Sequence, residues 1–247
     1  MSLPVFIHPD LSAAQAGDAI TLSGPEARHA VTVKRMQQGE KLALIDGTGI
    51  RLTLTVTETS GKDHLTGTVE SVTQLPEPNP RVTVVQAIPK SERAELAVDL
   101  ATQAGADEII AWQADRCVAK WDGKKAPKAV AKWQAAAEAA AKQSRRDRIP
   151  QVRGPLTTRQ LVAELAERAE SASVLVLHEE ATESIREVGL HGEVFLLVGP
   201  EGGIGEEELT TLREAGAVAI KLGPEVLRTA SAAMVALAAI GMRTERW

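Results

Sequence analysis

The chain has 247 residues, 44% of them hydrophobic and 25% charged, enough apolar surface to fold unaided as one large or two modest domains and too much for a disordered chain. Its single cysteine, Cys117, excludes an internal disulfide and a cysteine-built zinc site. The formal net charge of −5 excludes a general nucleic-acid coat, because phosphate binding is driven by Lys and Arg displacing counterions; any RNA site must be local.

Met1 to Asp10 has no basic region followed by an apolar one, and no stretch approaches the roughly 18 apolar residues that span a bilayer. A cytoplasmic protein without membrane insertion is expected. Short strands are predicted at Val5 to Ile7 and Ala19 to Leu22, and a helix at Glu26 to Arg35. Leu42 to Ile45 and Ile50 to Val56 read as a hairpin, the second strand alternating Ile50, Leu52, Leu54 and Val56 with polar residues around an Asp46-Gly47-Thr48-Gly49 turn. With a further strand at Leu65 to Val72, residues 1–75 form a small β-barrel suited to binding more than to chemistry. Pro76, Pro78 and Pro80 then forbid both helix and central strand, which makes 76–80 a linker.

From residue 81 to 247 the pattern alternates. Strands are predicted at Val82 to Ile88, Glu108 to Trp112, Val174 to Leu177, Val194 to Val198 and Val218 to Leu222. Helices fall at Glu92 to Ala104, Lys128 to Gln143, Glu206 to Ala215 and Ser231 to Met242. Apolar strands alternating with helices indicate a parallel α/β sheet covered on both faces. Within this half, Arg116 to Arg153 holds eleven Lys or Arg against three acids, a local +8 that leaves −13 for the rest of the chain. Lys125, Lys128 and Lys132 share one helix face, opposite Val130, Trp133 and Ala137. A stripe of this kind is ordinarily a solvated face; against an acidic remainder it favours RNA.

Two glycine turns follow consecutive strands: Gly199-Pro200-Glu201-Gly202-Gly203-Ile204-Gly205 and Leu222-Gly223-Pro224-Glu225-Val226-Leu227-Arg228-Thr229. In open α/β sheets ligands sit outside the carboxyl ends of strands, so adjacent loops there suggest one pocket. The first turn is not the dinucleotide pattern, since Glu206, Glu207 and Glu208 follow Gly205 and would repel a pyrophosphate at the helix N-terminus. An adenosine compound with a sulfonium and no phosphate is better tolerated. Glycine connectors and helix-stabilising glutamates read equally well, and a nicotinamide-dependent oxidoreductase stays open. The histidines His8, His29, His64, His178 and His191 lack metal-ligand spacing, so no metal is expected. With no Tyr and only Phe6 and Phe195, an aromatic platform for many bases is absent.

Together Leu196 to Gly203 and Leu222-Gly223-Pro224-x-Val226-Leu227-Arg228-Thr229 resemble the signature of the SPOUT methyltransferase superfamily, and within it the 16S rRNA uracil-N3 methyltransferase family. The likeness extends over nearly the whole chain through Arg28-His29, Val33-x-Arg35-Met36, Lys90, Asp115-Arg116-Cys117, Arg145-Arg146-Asp147-Arg148-Ile149-Pro150 and His178-Glu179. It implies a PUA-like barrel, a trefoil-knotted parallel sheet with helices on both faces, and a homodimer, although knots are rare and no spacing could have predicted one. Its cofactor, S-adenosylmethionine, would lie against Leu177, His178, Val198, Gly199, Pro200, Gly203, Leu222, Gly223, Val226, Leu227 and Thr229. Glu225, often basic in the family, and Ala230 and Ser231, where a Glu-Thr pair is frequent, depart from its pattern and put a catalytic acid there in doubt.

Uracil N3 carries a proton at neutral pH, so methylating it requires a proton acceptor and a cation for the charge left on the ring. Arg228 is the candidate cation and Glu201 the candidate base; a loop-ordering hydrogen bond from a backbone amide is an equal reading of Glu201. Arg28, His29, Lys34, Arg35, Lys90, Arg145, Arg146 and Arg148 are candidates for gripping 16S rRNA in the small subunit around an unpaired or flipped uridine. A non-catalytic RNA-binding protein that retains the fold is the remaining alternative.

Overall fold

The structure, a computed structural model, describes residues 3–90, 93–168 and 170–247. The chain divides into two compact units, Met1–Glu77 with Ala141–Ile149, and Pro78–Ala140 with Pro150–Trp247. The segment Ala141–Ile149 therefore joins the N-terminal unit, although it lies well beyond the proline linker.

In the first unit β1 (Val5–Ile7), β2 (Ala19–Ser23), β3 (Lys41–Ile45), β4 (Ile50–Ser60) and β5 (His64–Gln74) form a five-stranded sheet in the order β1-β3-β4-β5-β2. The alternation read from β4 buries Leu52, Leu54 and Val56 against Phe6, Leu22, Leu42 and Leu65. Asp46 builds the β3–β4 turn by accepting the backbone N–H groups of Thr48, Gly49 and Ile50, a local substitute for ladder bonds. The expected helix at Glu26 to Arg35 is two pieces, α1 (Gly24–Arg28) and a π-helical turn, His29–Val33. The returning segment is fastened by Lys142 to Glu26 at 2.6 Å and by Arg51 to Asp147 at 2.5 Å, with Ile149 packed on Val5, Ala43 and Ile45.

In the second unit seven strands, all paired in parallel, stand in the order β10-β12-β9-β11-β6-β7-β8. They are β6 (Val82–Ala87), β7 (Glu108–Gln113), β8 (Gln151–Thr157), β9 (Ala172–Leu177), β10 (Glu183–Ser184), β11 (Glu193–Val198) and β12 (Val218–Lys221). Central β11 pairs Leu196 with Leu175 of β9 and Val84 of β6, and Val194 to Val198 are all buried, as a strand covered on both faces requires. The helices are α2 (Ala94–Gln103), α3 (Lys125–Ser144), α4 (Thr158–Ala166), α5 (Glu206–Glu214) and α6 (Thr229–Arg243); the expected start of α2 at Glu92 lies outside the described residues. From β12, two places from β11, the chain returns so that α6 packs on α2, β6 and β11, the kind of crossing a trefoil-knotted sheet needs.

At the amino ends of these strands the charges close into a ring. Arg81 meets Glu108 and Glu193, Arg153 meets Glu108 and Glu164, and Arg168 meets Glu164 and Glu193. Thr83 donates its hydroxyl to Glu193 from within the ring. Among the described residues no helix is long and apolar enough to cross a membrane.

Candidate functional site

Because β12, β9, β11, β6 and β7 are neighbours and parallel, the loops leaving their carboxyl ends converge at one end of the sheet. There a cavity of about 570 Å³ is lined by all eleven residues expected at the cofactor and by Glu201 and Arg228, within the size range of small-molecule sites. Both glycine turns thus serve one space. His178 anchors its loop by donating its backbone N–H to Ile220 O at 3.0 Å. A Cβ on Gly199 would lie 2.8 Å from Ile204 Cγ1, so only glycine admits that packing. Gly203, at φ +71° with no atom near its Cβ position, supplies a left-handed turn.

The lining suits an adenosine compound carrying positive charge. Leu177, Val198, Leu222, Val226 and Leu227 present apolar surface, while Glu179, Glu180, Glu206 and Glu225 surround it with carboxylates. Glu201 and four cations, Arg93, Arg116, Lys221 and Arg228, share that lining, so carboxylates outnumber cations by one and the balance favours a sulfonium over a phosphate by a small margin. Thr229 is a special case among the expected contacts. Its hydroxyl donates to Gly199 O at 2.5 Å, so only its backbone is left for a ligand.

Among the residues that the sequence reading did not place at the cofactor, the cations Arg93, Arg116 and Lys221 also line the cavity. Arg116 donates to Gly202 O, and its loop is held from below because Glu208 accepts the Asp115 N–H at 3.0 Å and the Thr158 hydroxyl at 2.5 Å. Trp112 Nε1 donates to that same hydroxyl, so the hydroxyl proton must point at Glu208. Burial raises the Glu208 carboxyl above its ordinary range, offset in part by the Thr158 and Asp115 hydrogen bonds. Cys117, buried beside this loop, is pushed up to about 11 by burial, which keeps it a thiol and removes it as a nucleophile.

Glu201 accepts the Lys90 backbone N–H at 3.1 Å, the loop-ordering bond anticipated as an equal reading. Arg228 is exposed at the N-cap of α6 and has no ion-pair partner among the described residues. No group of three His, Cys, Asp or Glu among the described residues is placed to hold a metal.

Arg28, Lys34, Arg35 and Arg145 are exposed, and all belong to the first unit together with His29, Arg146 and Arg148; Lys90 is exposed in the second. His29 is half-buried, edge-on to Phe6 at 5.6 Å. Arg148 departs from the expected phosphate role: its guanidinium donates to Leu75 O and Pro76 O and meets Glu77, which ties the linker down. In α3, Lys132 pairs with Glu95 at 2.6 Å, while Trp133 and Ala137 are buried as the helical spacing requires. Among the described residues the two non-glycines in left-handed backbone are Arg35 (φ 55°) and Arg145 (φ 61°), both singled out by sequence for RNA. Such strain collects where function needs it.

A family profile described as an RNA methyltransferase domain matches residues 76–241, and one described as an RNA methyltransferase PUA domain matches 22–70. Proteins named ribosomal RNA small subunit methyltransferase E are similar throughout. The one from Mycobacterium bovis is 52% identical over 94% of this chain and 89% of its own; the one from Bacillus subtilis is 30% identical over 97% and 96%. Among solved structures, a methyltransferase from Legionella pneumophila in complex with S-adenosylmethionine superposes with a TM-score of 0.86 at 29% identity, covering 98% of both chains. A small subunit methyltransferase E from Neisseria gonorrhoeae bound to the same compound shares the fold, with a TM-score of 0.87 at 24% identity over 98% of both chains.

Proposed function

The chain belongs to the RNA methyltransferase family of the ribosomal RNA small subunit methyltransferase E proteins, and on that premise we propose that it transfers the methyl group of S-adenosylmethionine to N3 of one uridine in 16S rRNA. The observation that carries the reading is the single cavity to which three adjacent parallel strands bring every residue of the two glycine turns expected at the cofactor. Leu177, Val198, Leu222 and Val226 would enclose the adenosine, and the surrounding carboxylates would favour the sulfonium. The bound compound supplies an electrophilic methyl group.

The chain's own residues then have three tasks. Arg228 stabilises the negative charge that spreads over the uracil oxygens as N3 loses its proton. Glu201, with one oxygen occupied by the Lys90 N–H, keeps Oε2 as the proton acceptor. Arg28, Lys34, Arg35 and Arg145 hold phosphates flanking the target, which must be unpaired or flipped because N3 lies on the Watson-Crick edge. The left-handed Arg35 and Arg145 support this assignment.

A homodimer is part of the proposal. Met234, Val235 and Met242 leave an exposed apolar face on α6, and Leu96 is exposed on α2, which packs against it. Burying such a face against a second copy accounts for it.

Reverse transcription through 16S rRNA treated with protein and S-adenosylmethionine tests the reaction, since a methyl on N3 blocks pairing and halts the copying enzyme at one nucleotide. Methyl incorporation without such a halt would move the reaction to another atom. No incorporation into RNA or assembled subunits would leave the non-catalytic alternative.

A further inference from the structure

We propose that Gln86, which does not line the cavity, is a positioning residue that sets the spacing of its two glycine loops through Thr229; this rests on the reading that the cavity takes S-adenosylmethionine. Gln86 is 1% exposed in β6, between the buried residues Val85 and Ala87. Its amide nitrogen donates to Ala87 O at 3.0 Å and to the Thr229 hydroxyl at 3.1 Å. Thr229 in turn donates to Gly199 O.

The direction of this string is fixed by chemistry. Both ends are carbonyl oxygens, which only accept. The nitrogen of Gln86 must therefore face Ala87, its second hydrogen must go to Thr229, and the Thr229 proton has Gly199 left as its acceptor. Hydrogen bonds in series polarise one another, and more so away from water. The string joins β6, the first residue of α6 and the first residue after β11. Gly199 opens one wall of the cavity, and Thr229 closes the other directly after Arg228.

A stability argument does not explain Gln86. Its Oε1 is buried with no hydrogen-bond partner among the described residues, and an unpaired buried polar atom is a cost. Leu or Met at this point of an otherwise apolar strand would avoid it. What the amide adds is a fixed distance between the loops, so the cavity is formed before a ligand arrives, which lowers the ordering cost of binding.

Calorimetric titration of S-adenosylmethionine into the full chain tests this with Gln86→Leu, Gln86→Met, Thr229→Val, Thr229→Ser and the double variant Gln86→Leu/Thr229→Val. Loss of one hydrogen bond of ordinary strength corresponds to roughly a three- to tenfold rise in Kd. Gln86→Leu, Gln86→Met and Thr229→Val should each show a rise of that size, the double variant should be no weaker than Thr229→Val, and Thr229→Ser should bind like the parent. A cavity or packing defect would not vanish in the Thr229→Val background, and Leu and Met would then differ. Multiplying effects in the double variant, or Gln86→Met binding as tightly as the parent, would overturn the relay alone. A parent chain that takes none of the compound would overturn both this proposal and the cofactor reading.

Discussion

The guanidinium of Arg116 donates to the carbonyl oxygen of Gly202 at 3.1 Å, so the loop after β7 braces the glycine loop after β11. A Cβ on Gly205 would lie only 3.5 Å from Arg116 Nε, which places the side chain flat along the turn. Arg116→Ala frees the turn, and the loosened turn outweighs the loss of a rim cation, which by itself would favour the sulfonium. The expected outcome is about a three- to tenfold weaker Kd for S-adenosylmethionine with an unchanged melting temperature, measured by calorimetry and thermal denaturation. Unaltered affinity would mean that the turn holds itself.

Arg228 stands beside Thr229 in the cavity lining, exposed and without an ion-pair partner among the described residues. A charge that acts on the transition state shows in turnover and not in cofactor affinity. Arg228→Ala should lower kcat by about a hundred- to a thousandfold, the scale of losing one preorganised donor, with S-adenosylmethionine Kd within about twofold. Single-turnover methylation of 16S rRNA measures the first and calorimetry the second. Lost affinity at unchanged kcat would reassign Arg228 to binding.

The sequence was most legible where one period or one glycine turn dominated. Ile50 to Val56 alternates cleanly and became the first part of β4, and the apolar run before Gly199 became β11. β8 escaped because Gly154 and Pro155 interrupt it, which an edge strand tolerates; among the described residues it pairs only with β7, across an irregular register. α4 was also missed, although Thr157 and Gln160 form a capping box ahead of Leu161 and Leu165, a signature that could have been read. No local pattern could show that 141–149 packs with the first unit, or that Gln86, 143 residues from Thr229 in sequence, meets it in space. Both depend on long-range contacts that leave no trace in period or composition.

Glu108 is the most enclosed of the six charges in the ring, its side chain 9% exposed between Arg81 and Arg153. Glu108→Ala would leave two guanidiniums facing each other without the carboxylate that pairs them. Arg81 and Arg153 are 48% and 30% exposed, so water recovers part of the loss, and a cost of about 1–3 kcal/mol follows. In a chain of this size that is a melting temperature lower by roughly 3–10 °C. S-adenosylmethionine affinity should be unaffected, because the ring lies at the opposite ends of the strands from the cavity. A loss of affinity at unchanged stability would contradict this.

Glu208 gives stability a pH dependence whose sign follows from its surroundings. Burial raises its carboxyl above the ordinary 4.5, so over a window that opens near that value the folded chain holds a proton that the unfolded chain has released. With more protons bound in the folded state, this group makes stability fall as pH rises through the window and then level off above its folded pKa. Glu208→Gln keeps an oxygen to accept from Asp115 N–H and Thr158 and removes the titration. The stability of Glu208→Gln relative to the parent should therefore increase from pH 4.5 upward and reach a plateau, as read by urea denaturation at a series of pH values. Glu208→Leu, which also removes the titration but strands both donors, should follow the same pH trend displaced downward by about 1–3 kcal/mol. A Gln-to-parent difference that stays flat, or shrinks with rising pH, would show that the carboxyl titrates in the folded chain as it does in the unfolded one.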